Sequence, residues 1–232
     1  MKPKIIKLKD YQKNEDIIYQ IKKLIEPFYS QAGDHIDHDI ETCDELYVVN
    51  SDEGRIIAFL MVGFHFIDDM PCYYAGLSAC KDELKNTGVV SRLYFEFSKD
   101  CVHQESKLKE RVIIYWTTAT PIVYYFTNYF LKNVQPTISG KCTEEGKQVL
   151  ETIANKQYTN AKQEDSAPYV LRNAAEQITY STVERNRLKK AVKDLNLTVF
   201  DDYEIDEANG DRFLMFGYAP SLEEINERVN KR

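Results

Sequence analysis

From Glu45 to Ala79 the chain passes through three β-forming runs with almost nothing between them. "ELYVV" is followed by the turn "NSDEG", then "RIIAFLMVGFHFI", then "DDMP", then "CYYAGLSA". Strands joined by such short connections run antiparallel, so a three-stranded meander is predicted and the remaining elements must pack around it. Asn50, Asp52 and Gly54 supply the first turn. The third run gives way to the polar stretch "CKDELKNTG". A helical pattern begins directly after Gly88, with Val90, Leu93, Tyr94, Phe97 and Cys101 on one stripe. "RVIIYWTT" (111–118) then reads as a short strand buried on both faces.

Before the meander, "KIIKL" reads as a first strand. Ile17, Ile18, Ile21, Leu24, Ile25 and Phe28 recur at helical spacing from Asn14 to near Ser30, and "QAGDHIDHDIETC" follows as a polar loop. After "RVIIYWTT", Thr120 as N-cap and Pro121 at the first helical position open another helix. Residues 143–157 read as a helix, 158–168 as a polar loop, and a charged helix starts near Ser181. "LTVFDDYEI" and "DRFLMFGYA", joined by "DEANG", read as a closing β-hairpin, and Ser221 with Glu224 forms a capping box for a last helix. The expected class is α/β, a mixed α+β sheet with helices on both faces. One domain over 1–232 is expected, with a helical insertion at about 135–195 before the C-terminal hairpin.

Composition narrows the functions. Five cysteines, an odd number without C-x-x-C spacing, argue for free thiols in a reducing compartment, hence the cytoplasm. A net charge of −7 disfavours nucleic acid as a partner and suits a cationic acceptor. The longest apolar run, Ile56–Ile67, is interrupted by His65 and is too short to span a membrane, and "MKPKIIKLKD" lacks the apolar stretch of a signal peptide. His35 and His38 lie among Asp34, Asp37 and Asp39 like a metal collection, but acid-rich loops are ordinarily solvated and no metal is expected.

The junction at Gly88 has the composition of an anion site. Helix N-termini expose unpaired N–H groups at the positive end of the dipole, and glycine lets a phosphate approach without a Cβ in its way. Lys85, Asn86, Thr87, Gly88, Val89 and Val90 offer successive amides, one cation and one hydroxyl. On the residues alone a plain turn is the commoner meaning of such a glycine, and neither the Walker nor the dinucleotide pattern is present.

The element order, with "ACKDELKNTGVV" at this junction, resembles the Gcn5-related N-acetyltransferase (GNAT) superfamily, whose loop follows the pattern Q/R-x-x-G-x-G/A. Cys80, Lys85, Gly88 and Val90 fall in that register. Lys85 stands where the family prefers Gln or Arg, and Val90 where it prefers Gly or Ala. The resemblance covers about residues 4–134 and the final hairpin, and implies a GNAT-like acyl-CoA N-acyltransferase fold. It implies acetyl-CoA (coenzyme A) as co-substrate, its pyrophosphate held by Lys85, Asn86, Thr87, Gly88, Val89, Val90 and Ser91. Its pantetheine would pair as a substitute strand with Leu77, Ser78, Ala79 and Cys80.

The implied chemistry is direct attack of a small-molecule or peptide amine on the thioester, which needs a base for the amine and an acid for the thiolate. The family often draws the acid from a tyrosine of the helix after "RVIIYWTT". Tyr125 is the candidate, with Tyr129 one turn on and Tyr124 beside it. Candidates for the base are Asp68, Asp69, His65, Tyr74 and Glu45, of which Asp69 is taken forward. Cys80 has no nearby histidine to activate it as a nucleophile. The alternative is a GNAT-shaped module without catalysis that holds coenzyme A or a protein partner. A homodimer is the assembly carried forward, and no membrane association is expected.

Overall fold

The computed structural model describes residues 4–31, 35–175 and 179–230. The meander is present: β3 (Glu45–Asn50), β4 (Ile56–Ile67) and β5 (Met70–Cys80) pair antiparallel in sequence order, and β1 (Ile5–Lys9) adds to the free edge of β3. α1 (Glu15–Ile25) begins where Asn14 accepts the Ile17 N–H at 3.2 Å. It buries Ile21 and Ile25.

β4 and β5 read as continuous apolar runs because helices cover both their faces. Successive strand residues point to opposite sides. Tyr73 meets Phe97 of α3 (Val89–Leu108), ring centroids 5.1 Å apart, on one face. Tyr74 meets Asp39 of α2 (His35–Thr42) on the other.

β6 (Ile113–Thr118) lies parallel to β5 and leads into α4 (Pro121–Phe130) and β7 (Lys132–Gln135). Then follow α5 (Glu144–Gln157), β8 (Lys162–Glu164), β9 (Ala167–Arg172), β10 (Thr179–Tyr180), α6 (Thr182–Asp194), α7 (Val199–Asp202), β11 (Arg212–Tyr218) and α8 (Leu222–Asn230). The main sheet runs β1-β3-β4-β5-β6-β11-β9-β8, with β7 also on β11, while β10 pairs with β2 (Tyr29–Gln31) in a separate ribbon. The mixed α/β class expected from the sequence is thus observed. No helix among the described residues is long and apolar enough to cross a membrane.

Three expectations are corrected. The segment 135–195 is not purely helical: it supplies β8 and β9, and β9 extends the main sheet by pairing Val170 and Leu171 with Phe213 and Arg212. The closing hairpin does not form. Val199–Asp202 is a short helix that turns Phe200 edge-on to Phe213 and Tyr124, and β9 takes the place beside β11. Two consecutive aspartates after Phe200 interrupt strand alternation, whereas Ala167–Leu171 is buried throughout. The stretch taken as a polar loop contains α2, whose Ile36 and Ile40, four residues apart, pack against the core.

Other local predictions are met. Thr143 and Ser181 cap α5 and α6 by accepting the Gly146 and Glu184 N–H groups. Ser221 and Glu224 exchange hydrogen bonds at 3.1 and 3.2 Å.

Candidate active site

β5 and β6 pair at Cys72–Ile113, Tyr73–Ile114 and Tyr74–Tyr115, and the pairing then stops although the strands run on to Cys80 and Thr118. Beyond that point each strand keeps its outer neighbour: Ser78, Ala79 and Cys80 stay on β4, and Trp116, Thr117 and Thr118 stay on β11. The inner edges diverge, leaving main-chain donors and acceptors of 75–80 and 116–118 without a strand between them.

A bulge sits at the start of the divergence. Ala75 faces Val62 and Ser78 faces Leu60, so β5 spends three steps where β4 spends two. The additional residue increases local twist. Gly76 is required here, because a Cβ would lie 2.8 Å from Cys43 Sγ and 3.1 Å from Asp39 Oδ2. The bulge turns the Leu77 N–H toward Asp39, which accepts it through Oδ2 at 2.8 Å and accepts the Tyr74 hydroxyl through Oδ1 at 2.9 Å. Asp39 is fully buried at the apex. Burial, and then the Asp39 charge, push the Tyr74 phenol well above its ordinary pKa, so it stays a proton donor to the carboxylate.

The other end of the divergence opens on the glycine turn. Asn86 (φ 63°) and Gly88 (φ 81°) are both left-handed, and alternation of such residues curls the amides into a concavity. At Gly88 an L-residue would pay about 1 kcal/mol or more for that conformation. The amides of Lys85 and Thr87 are spent inside the turn on Asp82 and Leu84 carbonyls, and the Thr87 hydroxyl also bonds Leu84 O, at 2.6 Å. The first intrahelical bond is Arg92 N–H to Gly88 O. The amides from Gly88 to Ser91 therefore precede the helix's internal ladder.

A single cleft of about 390 Å³ joins these features, from the glycine turn through the divergence to Asp39. Leu77, Ser78, Ala79, Cys80, Lys85, Asn86, Gly88, Val89, Val90 and Ser91 all line it; of the proposed coenzyme residues, Thr87 alone does not. Tyr94 and Phe126 line the α3–α4 side, ring centroids 5.2 Å apart. Lys85 Nζ sits 4.2 Å from the Phe28 ring centroid, 2.6 Å from Asp82 and 3.6 Å from Glu184. Glu184 in turn receives Arg187, both reaching the cleft from α6. The charged helix α6 thus contributes one wall. Burial raises the Cys80 thiol, and Lys85 offsets this only in part, so Cys80 stays protonated.

The catalytic candidates chosen from sequence lie elsewhere. Tyr125 and Tyr129 are 41% and 66% exposed on the outer side of α4 and line no part of the cleft. Tyr124 is buried away from it, donating to Thr137 O at 2.7 Å. α4 turns Ile122, Val123 and Phe126 inward instead. Asp69 is exposed in the β4–β5 turn, at the end of β5 opposite the divergence, and its neighbour Asp68 pairs with Lys156 at 2.8 Å. His65 meets the Tyr115 hydroxyl at 2.9 Å, its pKa lowered by burial, and Glu45 pairs with Lys7 and Lys9.

Of the base candidates only Tyr74 enters the cleft. Sequence reasoning named Asp39 only among the acids of its segment and did not single it out. The apparent metal collection disperses: Asp37 pairs with Lys22 while Asp39 turns inward. Asp34 lies outside the described residues, and among those described no three such side chains converge.

No protein-family model matches the chain, and no curated protein matches it in sequence. Solved structures align with part of it. The NatC complex bound to Gag peptide and CoA aligns at 14% identity and TM-score 0.39, covering 54% of this chain and 81% of that one. An Escherichia coli GNAT family N-acetyltransferase (YhbS) in complex with CoA aligns at 13% and 0.40, covering 54% and 68%. An aminoglycoside acetyltransferase from an uncultured soil metagenomic sample, in complex with trehalose, aligns at 14% and 0.37, covering 54% and 83%.

Proposed function

We propose that the chain is a GNAT-type N-acyltransferase that moves an acetyl group from coenzyme A to an amine, with Asp39 as the base. One observation carries this reading: the anion-binding turn, the unpaired strand edges and a buried carboxylate open into one cleft in the order that a phosphate, a pantetheine and a thioester would require.

The amides of Gly88–Ser91 hold the pyrophosphate, with Arg187 and Lys85 as nearby cations. The free edge of β5 from Leu77 to Cys80 pairs with the pantetheine amides in place of a strand. Acetyl-CoA would supply the electrophilic carbonyl and the thiolate leaving group. Asp39 draws a cationic amine to the apex and takes one ammonium proton, which frees the nitrogen lone pair to attack the carbonyl; the second proton leaves nitrogen after the C–N bond has formed and replaces the one that the sulfur receives. As the C–S bond breaks, Tyr94, the tyrosine on the pantetheine side of the cleft, returns a proton to the sulfur. The products are an amide and free coenzyme A thiol. The unpaired cysteines fit a reducing cytoplasm.

Calorimetry with coenzyme A, followed by a thiol-release assay with acetyl-CoA and a panel of amines, tests this. Association together with amine-dependent thiol release is expected. Association without release under any amine would leave the non-catalytic module, and no association at millimolar coenzyme A would remove both the enzyme and the coenzyme-holding module.

A further inference from the structure

Arg212, the first residue of β11, is 4% exposed and lines the same cleft. Its Nη1 donates to the main-chain oxygens of Asp211 at 2.6 Å and Glu207 at 3.5 Å. These bonds orient the guanidinium but leave its charge unbalanced. Of the described acids around it, Asp211 is engaged by Arg172, Glu207 by Arg185, and Glu184 by Arg187 and Lys85, while Asp206 accepts the Ala208 N–H and the Asn209 side-chain amide. Among the described residues no carboxylate pairs with Arg212, and its Nε and Nη2 have no hydrogen-bond partner. Those two nitrogens form the edge of the guanidinium that matches a carboxylate with two parallel bonds. A buried cation without a counter-ion is costly unless a ligand supplies one.

The position assigns this edge to the acceptor and not to the coenzyme. Arg212 and Asp39 line the same cleft as Tyr29, whose hydroxyl both charges act on. Tyr29 and Tyr180, stacked with centroids 5.2 Å apart, line its side. Lys85 and Arg187, the cations placed beside the coenzyme, are already paired with Asp82 and Glu184. A lone guanidinium among phenols suits a singly charged carboxylate better than a doubly charged phosphate.

We infer that the acceptor is an amino carboxylate, its amine at Asp39 and its carboxylate bound in bidentate fashion by Arg212. This rests on the acyl-transfer reading for the role of Asp39, but the anion site is testable without turnover.

The test is calorimetric titration, with and without coenzyme A, of two matched pairs: γ-aminobutyrate against n-butylamine, and L-phenylalanine against phenethylamine. In at least one pair the carboxylate is expected to bind roughly thirtyfold tighter or more, as for a buried charge pair made or broken. Arg212→Gln abolishes that preference and leaves coenzyme A binding unchanged, and Arg212→Lys, which keeps the charge without the fork, restores only part of it. If Arg212→Gln does not fold, the wild-type pairs and Arg212→Lys decide. Equal or weaker binding of the carboxylate in both pairs overturns the inference, as does an equal loss of amine and amino-acid binding in the variants. Absence of thiol release with the carboxylate preference intact would sink the acyl-transfer reading alone.

Discussion

Both oxygens of Asp39 are engaged before any amine arrives, one by the Tyr74 hydroxyl and the other by the Leu77 N–H. That geometry fixes the carboxylate, and spare lone pairs still allow it to take an ammonium. Asp39→Asn keeps the shape and removes the proton acceptor, so thiol release should fall by roughly 10²–10⁴ with coenzyme A affinity unchanged. Tyr74→Phe should cost less, since it loosens the carboxylate without removing it. Steady-state rates alongside calorimetry distinguish the two.

A different carboxylate reports on stability. Burial works to raise the Asp100 pKa, but hydrogen bonds from Lys7 and Tyr47 outweigh it and the carboxyl titrates below its ordinary range. Its contribution is therefore complete above the unfolded value of about 3.9 and is lost as pH falls through the lower folded value. Asp100→Asn should lower the Tm near pH 7, with the deficit closing below about pH 4. Melting curves across a pH series measure it. Neither carboxylate announces its partners in the sequence: Lys7 and Asp100 are 93 positions apart, and Asp39 stands 38 positions from Leu77.

The helix α6 closes the cleft over the glycine turn, and its first turn carries both signs of charge. Glu184 holds Arg187 by a two-nitrogen contact and approaches Lys85 at 3.6 Å, so one acid occupies the two cations nearest the proposed pyrophosphate. Glu184→Gln should free Arg187, leave Lys85 paired with Asp82 alone, and tighten coenzyme A by about 1 kcal/mol, roughly fivefold in Kd, while Arg187→Gln should weaken it. Calorimetry at two ionic strengths checks the sign.

Elements of this kind were legible wherever periodicity was long or a cap was present, as in β4, α3, and α5 and α6 with their Thr143 and Ser181 caps. β8 and β9 were not. "KQE" carries no strand pattern of its own, and its place follows from a pairing that only the folded sheet supplies. Gly88 marked its turn because one residue had to be left-handed. Tyr125 misled because α4 was legible as a helix while the face it turns to the sheet was not. That face is set by Phe126 meeting Tyr94 and Phe130.

At the scale of the molecule, the cleft is lined by segments from both ends of the chain: Phe28 and Asp39 early, the diverging strands in the middle, Tyr180, Glu184 and Arg212 late. A ligand filling it would bridge pieces that also meet through the β2–β10 ribbon, the α4–α6 packing and the pairing of β11 with β6. The three-stranded meander and the helix after Gly88 were readable because their contacts are between sequence neighbours. The late wall was not, since β10, α6 and β11 border strands and loops far from them in sequence. Binding to the folded state alone stabilises it by RT ln(1 + [L]/Kd), about 2.7 kcal/mol at a hundredfold excess over Kd. For a chain of this length each kcal/mol moves the Tm by about 2–4 °C, so saturating coenzyme A should raise it by roughly 5–10 °C. Since the ligand contacts both halves, the melt should stay a single transition and shift as a whole. A rise confined to one of two resolved transitions would mean that the late segment folds apart from the cleft. No shift at millimolar coenzyme A would mean that the amides at Gly88 hold no phosphate.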